Sequence, residues 1–315
     1  MSLEDILVME VPRKALHHVC DQNKLKPGGS TSEHYAKAII SNSNTYSIGA
    51  DLAEGYRYAG RTAANFYQPL NGFPKELTEK SSVLTFLREK YGKQVFEEGI
   101  RPNLSETPQL FRVTVFENKL VLSYSFLGPE IRVLRDFQVK KERPQRVDYA
   151  VLHFNPLIVE TRVPANKVDL FKEAVLKTLD IGSKQVEWFS MSELSNSEAQ
   201  QLRTVLGGGL KGAKHKMTEG IYDTIEVKAN NEVVDLFEKQ EYMDAFAGKP
   251  YRSMTFRFPY KHRNGLEEEI SVRITPLGVN FNSAVSEEVI QNVMTELLKI
   301  KVTTFAQVAA TVENA

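Results

Sequence analysis

The stretch QLFRVTVFENKLVLSYSFL, residues 109–127, decides the fold class of this chain. Apolar and polar residues alternate from Phe111 to Val115, which is the period of a β-strand with one buried face. The alternation resumes from Leu120 to Phe126, after the polar turn Glu117–Lys119. Two alternating runs joined by a short polar turn predict an antiparallel β-hairpin.

The first hundred residues have the apolar spacing of helices instead. Apolar residues recur every three or four positions in four segments, residues 3–20, 33–41, 48–67 and 81–91. Pro12 divides the first of these into a helix pair, and residues 99–108, with two prolines and a glycine, are typical of a connector. The sequence therefore predicts a helical N-terminal module over residues 1–105.

Two later segments share one order of predicted elements, two strands followed by a helix. The first has strands over 149–154 and 158–162 and a helix over 166–179. The second has strands over 253–259 and 269–275 and a helix over 286–300. We predict an α+β fold in which the helical module is followed by two mixed or antiparallel strand–helix units, over residues 106–200 and 201–315.

The two units also resemble each other in sequence. HFNPLIVETR, residues 153–162, and RITPLGVNFN, residues 273–282, each precede the helix of their unit. Such similarity at long spacing indicates an internal duplication. A chance coincidence of Pro-Leu turns between strands explains it equally well.

The composition is that of an ordinary globular protein. The 315 residues are 42% hydrophobic and 25% charged, and 40 basic residues balance 40 acidic ones, so any site for a polyanion must be local. The single cysteine, Cys20, excludes an internal disulfide, and no apolar run approaches the roughly 20 residues that span a bilayer. We expect a cytoplasmic protein, or a nuclear one in a eukaryote, without membrane association.

Recognised catalytic and metal-binding motifs are absent from the sequence. The six histidines do not form HExxH, one cysteine cannot form CxxC, and the GxSxG and P-loop patterns do not occur. We predict no metal, no cofactor and no catalytic residue, and we expect that the protein is not an enzyme. An enzyme whose catalytic groups converge from distant segments stays a third hypothesis.

Residues 14–40, KALHHVCDQNKLKPGGSTSEHYAKAII, have the pattern of a helix, a Gly-rich loop and a second helix. Leu25 before the loop, Gly29 within it and Glu33 at the start of the second helix resemble the SAP motif, which binds DNA in its family. The resemblance implies DNA contact by this segment, whereas a plain packing unit is the alternative. The candidate nucleic-acid-binding residues here are Lys24, Lys26 and Lys37.

Two basic segments in the C-terminal half contain no acidic residue. The first, RTVLGGGLKGAKHKM, residues 203–217, has four glycines, and successive backbone N–H groups in such a loop can bind an anion. A flexible interdomain loop is the alternative. The candidate residues of this segment are Lys211, Lys214 and Lys216.

The second basic segment, KPYRSMTFRFPYKHR, residues 249–263, alternates bases with aromatic residues, as surfaces that bind single-stranded nucleic acid do. The alternative is that these aromatic residues face the core. On a strand, Arg252 would share one face with Met254, Phe256 and Phe258, while Ser253, Thr255 and Arg257 would share the other. The candidate residues are Arg252, Arg257, Lys261 and Arg263.

These features favour a non-enzymatic DNA-binding or nucleic-acid-associated protein that uses the helical module and the basic loops. A protein-interaction scaffold is the alternative, because residues 219–244 hold eight acidic residues and two lysines. In outline the chain also resembles the centromere protein N family, with helices in front of a β-rich region. That resemblance implies a combination of nucleosome recognition and protein assembly. The sequence leaves the oligomeric state open.

Overall fold

The computed structural model of the protein describes residues 2–59, 63–182, 186–217, 221–246, 248–275 and 278–313, with side chains to Val302. The chain forms two compact units. The first unit contains Met1–Thr62 and Glu193–Val302, and the second contains Ala63–Ser192 and Thr303–Ala315. The N-terminal helices thus share a unit with the C-terminal strands, whereas the sequence divided the chain into three consecutive segments.

The elements confirm the predicted α+β class. The helices are α1 Leu3–Glu10, α2 Arg13–Gln22, α3 Ser32–Ile40, α4 Ser43–Arg57, α5 Lys80–Tyr91, α6 Val168–Thr178, α7 Asn196–Val205, α8 Gln240–Phe246 and α9 Glu287–Glu313. The strands are β1 Ala63–Asn71, β2 Gln109–Val115, β3 Lys119–Leu127, β4 Ile131–Arg135, β5 Gln138–Glu142, β6 Gln145–His153, β7 Ile158–Arg162, β8 Glu187–Ser190, β9 Gly209–Lys216, β10 Thr224–Lys228, β11 Tyr251–Lys261, β12 Glu267–Thr275 and β13 Gly278–Phe281.

Helices α1 to α4 build an apolar core within the first unit. Leu7, Leu16 and Ile39 are fully buried at its centre. Gly49 of α4 allows the close packing, because a Cβ at that position would lie 2.7 Å from a methyl group of Ile39. Leu266, in the turn between β11 and β12, belongs to the same core, so the helices and the sheet of this unit pack together. The predicted helix pair over 3–20 and the helix over 33–41 are confirmed.

The predicted helix over 48–67 is wrong in its second half. Helix α4 ends at Arg57, and β1 begins at Ala63. The pairing that replaces the helix is antiparallel, with Phe66 opposite Glu160 of β7. Small and aromatic residues from position 63 onwards fit a helical spacing, but burial on both faces of a sheet overrides that local pattern. The predicted N-terminal module is therefore not purely helical.

The sheet of the first unit has the strand order β10-β9-β11-β12-β13, with antiparallel neighbours throughout. Strand β11 alternates as predicted from Ser253 onwards, because Met254, Phe256 and Phe258 are buried. The prediction for Arg252 was wrong. The register between β11 and β9 shifts between Tyr251 and Ser253. Arg252 therefore does not share the buried face of Met254, Phe256 and Phe258, and it is exposed.

The sheet of the second unit has the order β8-β1-β7-β6-β3-β2 and is also antiparallel. The predicted hairpin over 109–127 is confirmed as β2 and β3. Tyr124 and Phe126 of β3 both pack edge-on against Phe171 of α6, with ring centroids 5.7 and 5.9 Å apart. Because Tyr124 is buried, its hydroxyl needs a partner, and it lies 2.9 Å from the hydroxyl of Thr178.

The strands predicted over 149–154 and 158–162 and the helix over 166–179 correspond to β6, β7 and α6. Those predicted over 253–259, 269–275 and 286–300 correspond to β11, β12 and α9, but β13 lies between the second strand and the helix. Two residues of the similar sequence segments, Pro276 and Leu277, lie outside the described residues. Strands β4 and β5 were not predicted, and they form a separate two-stranded sheet in the charged stretch before β6.

Strands β6 and β7 of the second unit carry a buried ion cluster. Oε1 of Glu160 accepts a hydrogen bond from Nε of Arg162 at 2.7 Å, and Nε2 of His153 lies 2.7 Å from Oε2. Burial by itself raises the pKa of Glu160, but the charge of Arg162 and the hydrogen bond from His153 outweigh it and hold that pKa well below its usual range. The carboxylate therefore stays ionised in the folded protein.

We predict that Glu160→Gln lowers the free energy of unfolding by about 3–5 kcal/mol, because it removes one partner of a buried ion pair. Since the folded-state pKa of Glu160 lies below its unfolded value, its stabilising contribution is complete above the unfolded pKa and is lost as the pH falls through the folded one. The variant should therefore lose less stability than the wild type on acidification. Urea unfolding from neutral to acidic pH measures both effects.

The exposed Glu117, in the turn between β2 and β3, offers a matched control. Glu117→Gln should change the free energy of unfolding by no more than about 0.5 kcal/mol. Equal stability of the Glu160 and Glu117 variants would contradict the buried ion cluster.

Candidate nucleic-acid interface

A cleft of 660 Å³ lies on the polar face of the sheet in the first unit. Small residues from three neighbouring strands form part of its wall, among them Gly212 of β9, Ser253 and Thr255 of β11, and Ser271 of β12. Their short side chains let a ligand approach the strand backbone closely, and the hydroxyl groups can donate hydrogen bonds to phosphate oxygens.

Basic side chains dominate the charged part of this wall. The bases are Lys211, Lys214, Lys228, Arg257 and Arg273, and the acids are Glu226 and Glu269. Five positive and two negative charges leave a local excess of three positive charges in a chain whose formal net charge is zero. The positive charge is therefore concentrated locally, as a polyanion site in a neutral protein requires.

Three of these bases are already engaged by the protein. Arg257 pairs with Glu269 at 3.2 Å, Lys228 pairs with Glu226 at 3.3 Å, and Nζ of Lys211 donates to the backbone oxygen of Val233 at 2.7 Å.

The other two bases of the wall are not paired. Within the described part of the chain, neither Lys214 nor Arg273 has a carboxylate within 4.0 Å, and Arg273 donates to the hydroxyl of Ser253 at 3.2 Å. These two cations are available to a ligand.

The strand register brings the two cations to one face. Lys214 lies opposite Ser253 on β11, and Arg273 of β12 lies opposite Thr255 on the other side of the same strand. Side chains that lie directly opposite each other in a sheet point to the same face. Lys214 and Arg273 therefore flank the polar residues of β11.

Asp235 holds the glycine-rich segment before β9 in place. Its Oδ1 accepts hydrogen bonds from the backbone N of Leu210 at 3.1 Å and of Phe237 at 2.9 Å, and its Oδ2 accepts one from Nη1 of Arg203 at 2.6 Å. The guanidinium of Arg203 also lies over the ring of Phe237, 4.8 Å from its centroid. Residues 209–216 consequently form a strand, so the alternative of a flexible interdomain loop was wrong for them.

Gly208 and Gly209 are required by close packing. A Cβ on Gly209 would lie 2.3 Å from the backbone oxygen of Val234, and one on Gly208 would lie 2.7 Å from the ring of Phe256. The glycines that suggested an anion-binding loop in the sequence thus serve the approach of neighbouring backbone and core.

Of the ten predicted nucleic-acid-binding residues, Lys211, Lys214 and Arg257 line the cleft. Lys216, exposed at the end of β9, and three further bases are not among its lining residues. Those three bases are paired with carboxylates: Arg252 with Asp223 at 3.2 Å, Lys261 with Glu267 at 2.9 Å and Arg263 with Glu288 at 3.2 Å.

The segment that resembles the SAP motif folds as a helix, a loop and a helix, in α2, residues 23–31 and α3. Its candidate residues Lys24, Lys26 and Lys37 are exposed and do not line the cleft. The imidazole of His34 lies over Gly29, where a Cβ would be 2.7 Å from the ring, and its Nδ1 is 2.8 Å from the hydroxyl of Thr31. The ring thus packs onto the glycine-rich loop.

The sequence did not point to Lys228 and Arg273. Lys228 is one of two lysines among the eight acidic residues of the stretch 219–244, so the local sequence does not indicate a basic surface. Arg273 belongs to a predicted strand, and alternation with buried Val272 and Ile274 could have placed it on the outer face. Its position beside β11 follows only from the register of β12.

The arrangement most like a catalytic centre lies at the start of α9. Nε2 of His262 is 2.8 Å from Oε1 of Glu268, and its Nδ1 is 3.4 Å from both the hydroxyl of Ser286 and a carboxylate oxygen of Glu288. Ser286 is only 5% exposed, and its hydroxyl accepts a hydrogen bond from the backbone N of Val289. That geometry is a helix cap rather than an accessible nucleophile. Burial and the charges of Glu268 and Glu288 raise the pKa of the neighbouring Tyr56, which stays neutral.

In the part of the chain that the structure describes, no group of three or more histidine, cysteine, aspartate or glutamate side chains is placed to hold a metal ion. None of the described helices is both long and apolar enough to cross a membrane. Comparison with known proteins matches the chain to no family model and to no curated protein.

We predict that Gly209→Ala destabilises the protein by about 1–3 kcal/mol, because the added methyl group would overlap a backbone oxygen that cannot move independently. Gly55 is the matched control, since nothing lies within 4 Å of a Cβ at that position in α4. Gly55→Ala should stabilise the protein by about 1 kcal/mol through helix propensity. Thermal unfolding of both variants measures the contrast, and similar unfolding midpoints would argue against the close approach at Gly209.

Proposed function

We propose that the protein is a non-enzymatic nucleic-acid-binding protein that holds a phosphate backbone in the cleft of the first unit. The observation that carries the proposal is the pair of cations Lys214 and Arg273, which have no carboxylate within 4.0 Å among the described residues and lie beside the hydroxyl groups of β11. A phosphate group would supply the counter-charge that these two cations lack.

The chemistry of the wall suits phosphate. The planar guanidinium of Arg273 can bind two phosphate oxygens at once, and the ammonium group of Lys214 acts as a mobile point charge. The ion pairs of Arg257 and Lys228 are solvent-exposed, so phosphate can displace their carboxylates at little cost. A polymer that crosses the sheet would thus meet several bases in succession.

The helix–loop–helix of residues 14–40 is part of the proposal as a second contact. Its support is the exposure of Lys24, Lys26 and Lys37 and the resemblance to the SAP motif. The internal duplication also stays a prediction, and the recurrence of two strands and a helix in both units supports it.

We predict that the double variant Lys214→Gln, Arg273→Gln binds DNA about 10²- to 10⁴-fold more weakly than the wild type, because two hydrogen bonds between charged groups are lost at about 1.5–3 kcal/mol each. The slope of log affinity against log salt should fall by about 2. Fluorescence anisotropy of a labelled oligonucleotide across a salt series measures both quantities.

The matched control removes two exposed lysines of the second unit, as Lys75→Gln, Lys93→Gln. It carries the same change in net charge and should bind nearly as the wild type does. Equal losses in the two double variants would show a nonspecific charge effect and overturn the cleft as the site. Wild-type binding that ignores ionic strength would do the same.

The variant Lys24→Gln, Lys26→Gln tests the helix–loop–helix. If the resemblance to the SAP motif extends to DNA contact, this variant should lose about one unit of salt slope per lysine. Unchanged affinity and slope would confine binding to the sheet and leave residues 14–40 as a packing unit. Thermal unfolding should be unaffected, because both side chains are exposed.

A protein-interaction scaffold is the competing function, and the acidic stretch 219–244 favours it. A pull-down from nuclease-treated extract separates the two proposals. Partners that remain bound after nucleic acid is destroyed, and that are lost on charge reversal within 219–244 but not with Lys214→Gln, Arg273→Gln, would support the scaffold.

A further inference from the structure

The hairpin of β4 and β5, residues 131–142 and here called the arm, carries an exposed apolar tip. Phe137 is 99% exposed, and the side chains of Leu134 and Val139 behind it are 68% and 66% exposed. Leu134 and Val139 lie directly opposite each other, so they share one face of the arm. Apolar side chains in such a cluster mark interaction sites when they are this exposed.

The turn of the arm does not require an aromatic residue. Asp136 and Phe137 form a two-residue turn with φ of 53° and 61°, the left-handed conformation that such hairpins need. Asparagine or aspartate followed by glycine is the sequence that this turn favours, whereas a bulky residue with positive φ is strained. A strained and fully exposed phenylalanine points to a function outside the fold.

The body of the arm is basic. Arg135 pairs with Glu142 at 3.3 Å and Lys141 with Glu130 at 2.9 Å. Among the described residues, Arg132 and Lys140 have no carboxylate within 4.0 Å. Arg132 lies opposite Lys141, and Lys140 lies opposite Val133 on the other face, so each face of the arm carries an unpaired base.

A basic two-stranded ribbon with an apolar tip fits a nucleic-acid duplex. A β-ribbon can bind in the major or the minor groove, phosphates line both sides of each groove, and apolar side chains can wedge between base steps from the minor groove. An anionic membrane would also attract the bases, but insertion of the tip would take the carboxylate of Asp136 into the bilayer at high cost. In a groove, the same carboxylate can accept a hydrogen bond from a base amino group.

We propose that the arm is a duplex-binding element, with Arg132 and Lys140 against phosphates and Phe137 against the bases. The inference shares with the proposed function the premise that the partner is nucleic acid. Its residues are different, so each of the two can fail without the other.

The test uses the full chain, a labelled 30-base-pair DNA duplex, of a length chosen to exceed one site, and the corresponding single strand. Phe137→Gly should weaken duplex binding by about tenfold, because glycine cannot make the apolar contact that an aromatic side chain makes at a base step. Its salt slope should stay unchanged. Arg132→Gln, Lys140→Gln should instead lower the slope by about 2. Single-strand affinity should change less than duplex affinity in both variants.

Glycine makes the aromatic test independent of folding, because it adopts the positive φ of residue 137 more easily than phenylalanine does. The thermal unfolding midpoint of Phe137→Gly should therefore equal or exceed that of the wild type. Met9→Ala is the matched control, since Met9 is a 69% exposed apolar side chain on α1. It should leave duplex affinity unchanged.

Wild-type duplex affinity in Phe137→Gly would overturn the arm as a nucleic-acid contact. Binding of the wild type to phosphatidylserine vesicles, lost in Phe137→Gly while duplex affinity persists, would overturn it in favour of a membrane. If Phe137→Gly loses affinity and the double variant Lys214→Gln, Arg273→Gln does not, the arm is supported and the cleft is rejected. If only the double variant loses affinity, the cleft is supported and the arm is rejected. Absence of wild-type binding to both the duplex and the single strand at low salt would reject both, whereas binding to the single strand alone would reject the arm.

Discussion

The register of β11 between β9 and β12 is the constraint on which the rest of the first unit depends. Thr255 lies opposite Gly212 on one side and Arg273 on the other, and this places the polar residues of three strands on one face. Phe256 and Phe258 are turned to the opposite face and are fully buried. A slip by one residue would exchange the two faces, exposing aromatic rings and burying bases, so the apolar core and the cleft are specified together.

The register is itself secured by contacts that the strands do not supply. Asp235 binds the backbone at Leu210 and the guanidinium of Arg203, and Gly209 lets residue 234 pass close to the start of β9. A partly buried carboxylate with a charged partner and backbone donors is a stronger anchor than an exposed ion pair. The glycine-rich segment is therefore an ordered strand, and the bases that follow Gly209 have defined positions.

Charge is handled differently in the two units. In the second unit, Arg162 neutralises Glu160 in a buried cluster in which His153 also contacts the carboxylate, and breaking this cluster would affect stability. On the surface of both units, several of the bases named in connection with binding are paired with a neighbouring carboxylate, as Lys261 is with Glu267. Bases without such a carboxylate partner are therefore the candidates for binding a ligand. Lys214 and Arg273 in the cleft, and Arg132 and Lys140 on the arm, have no carboxylate within 4.0 Å among the described residues.

Several elements could be recognised from local pattern because one physical signal dominated each. The hairpin over 109–127 and the alternation of β11 follow from the two-residue period of a half-buried strand, and the helix pair over 3–20 follows from the helical period and Pro12. Strand β1 was missed because AANFYQPL has no two-residue period and both faces of the strand are largely buried. Arg252 was misplaced because a single bulge shifts alternation in a way that sequence does not display.

The sequence by itself determined the α+β class, the apolar face of β11, the absence of a local catalytic motif and the presence of acid-free basic segments, because each of these is a property of neighbouring residues. Only the tertiary structure decided which bases line one cleft. Arg273 and Lys214 are 59 positions apart (273 − 214), and only β11, which lies between their strands, brings them near each other. Arg252, Lys261 and Arg263 are instead paired with carboxylates whose proximity depends on folding. Pairing between distant strands sets these distances, and no local pattern encodes it.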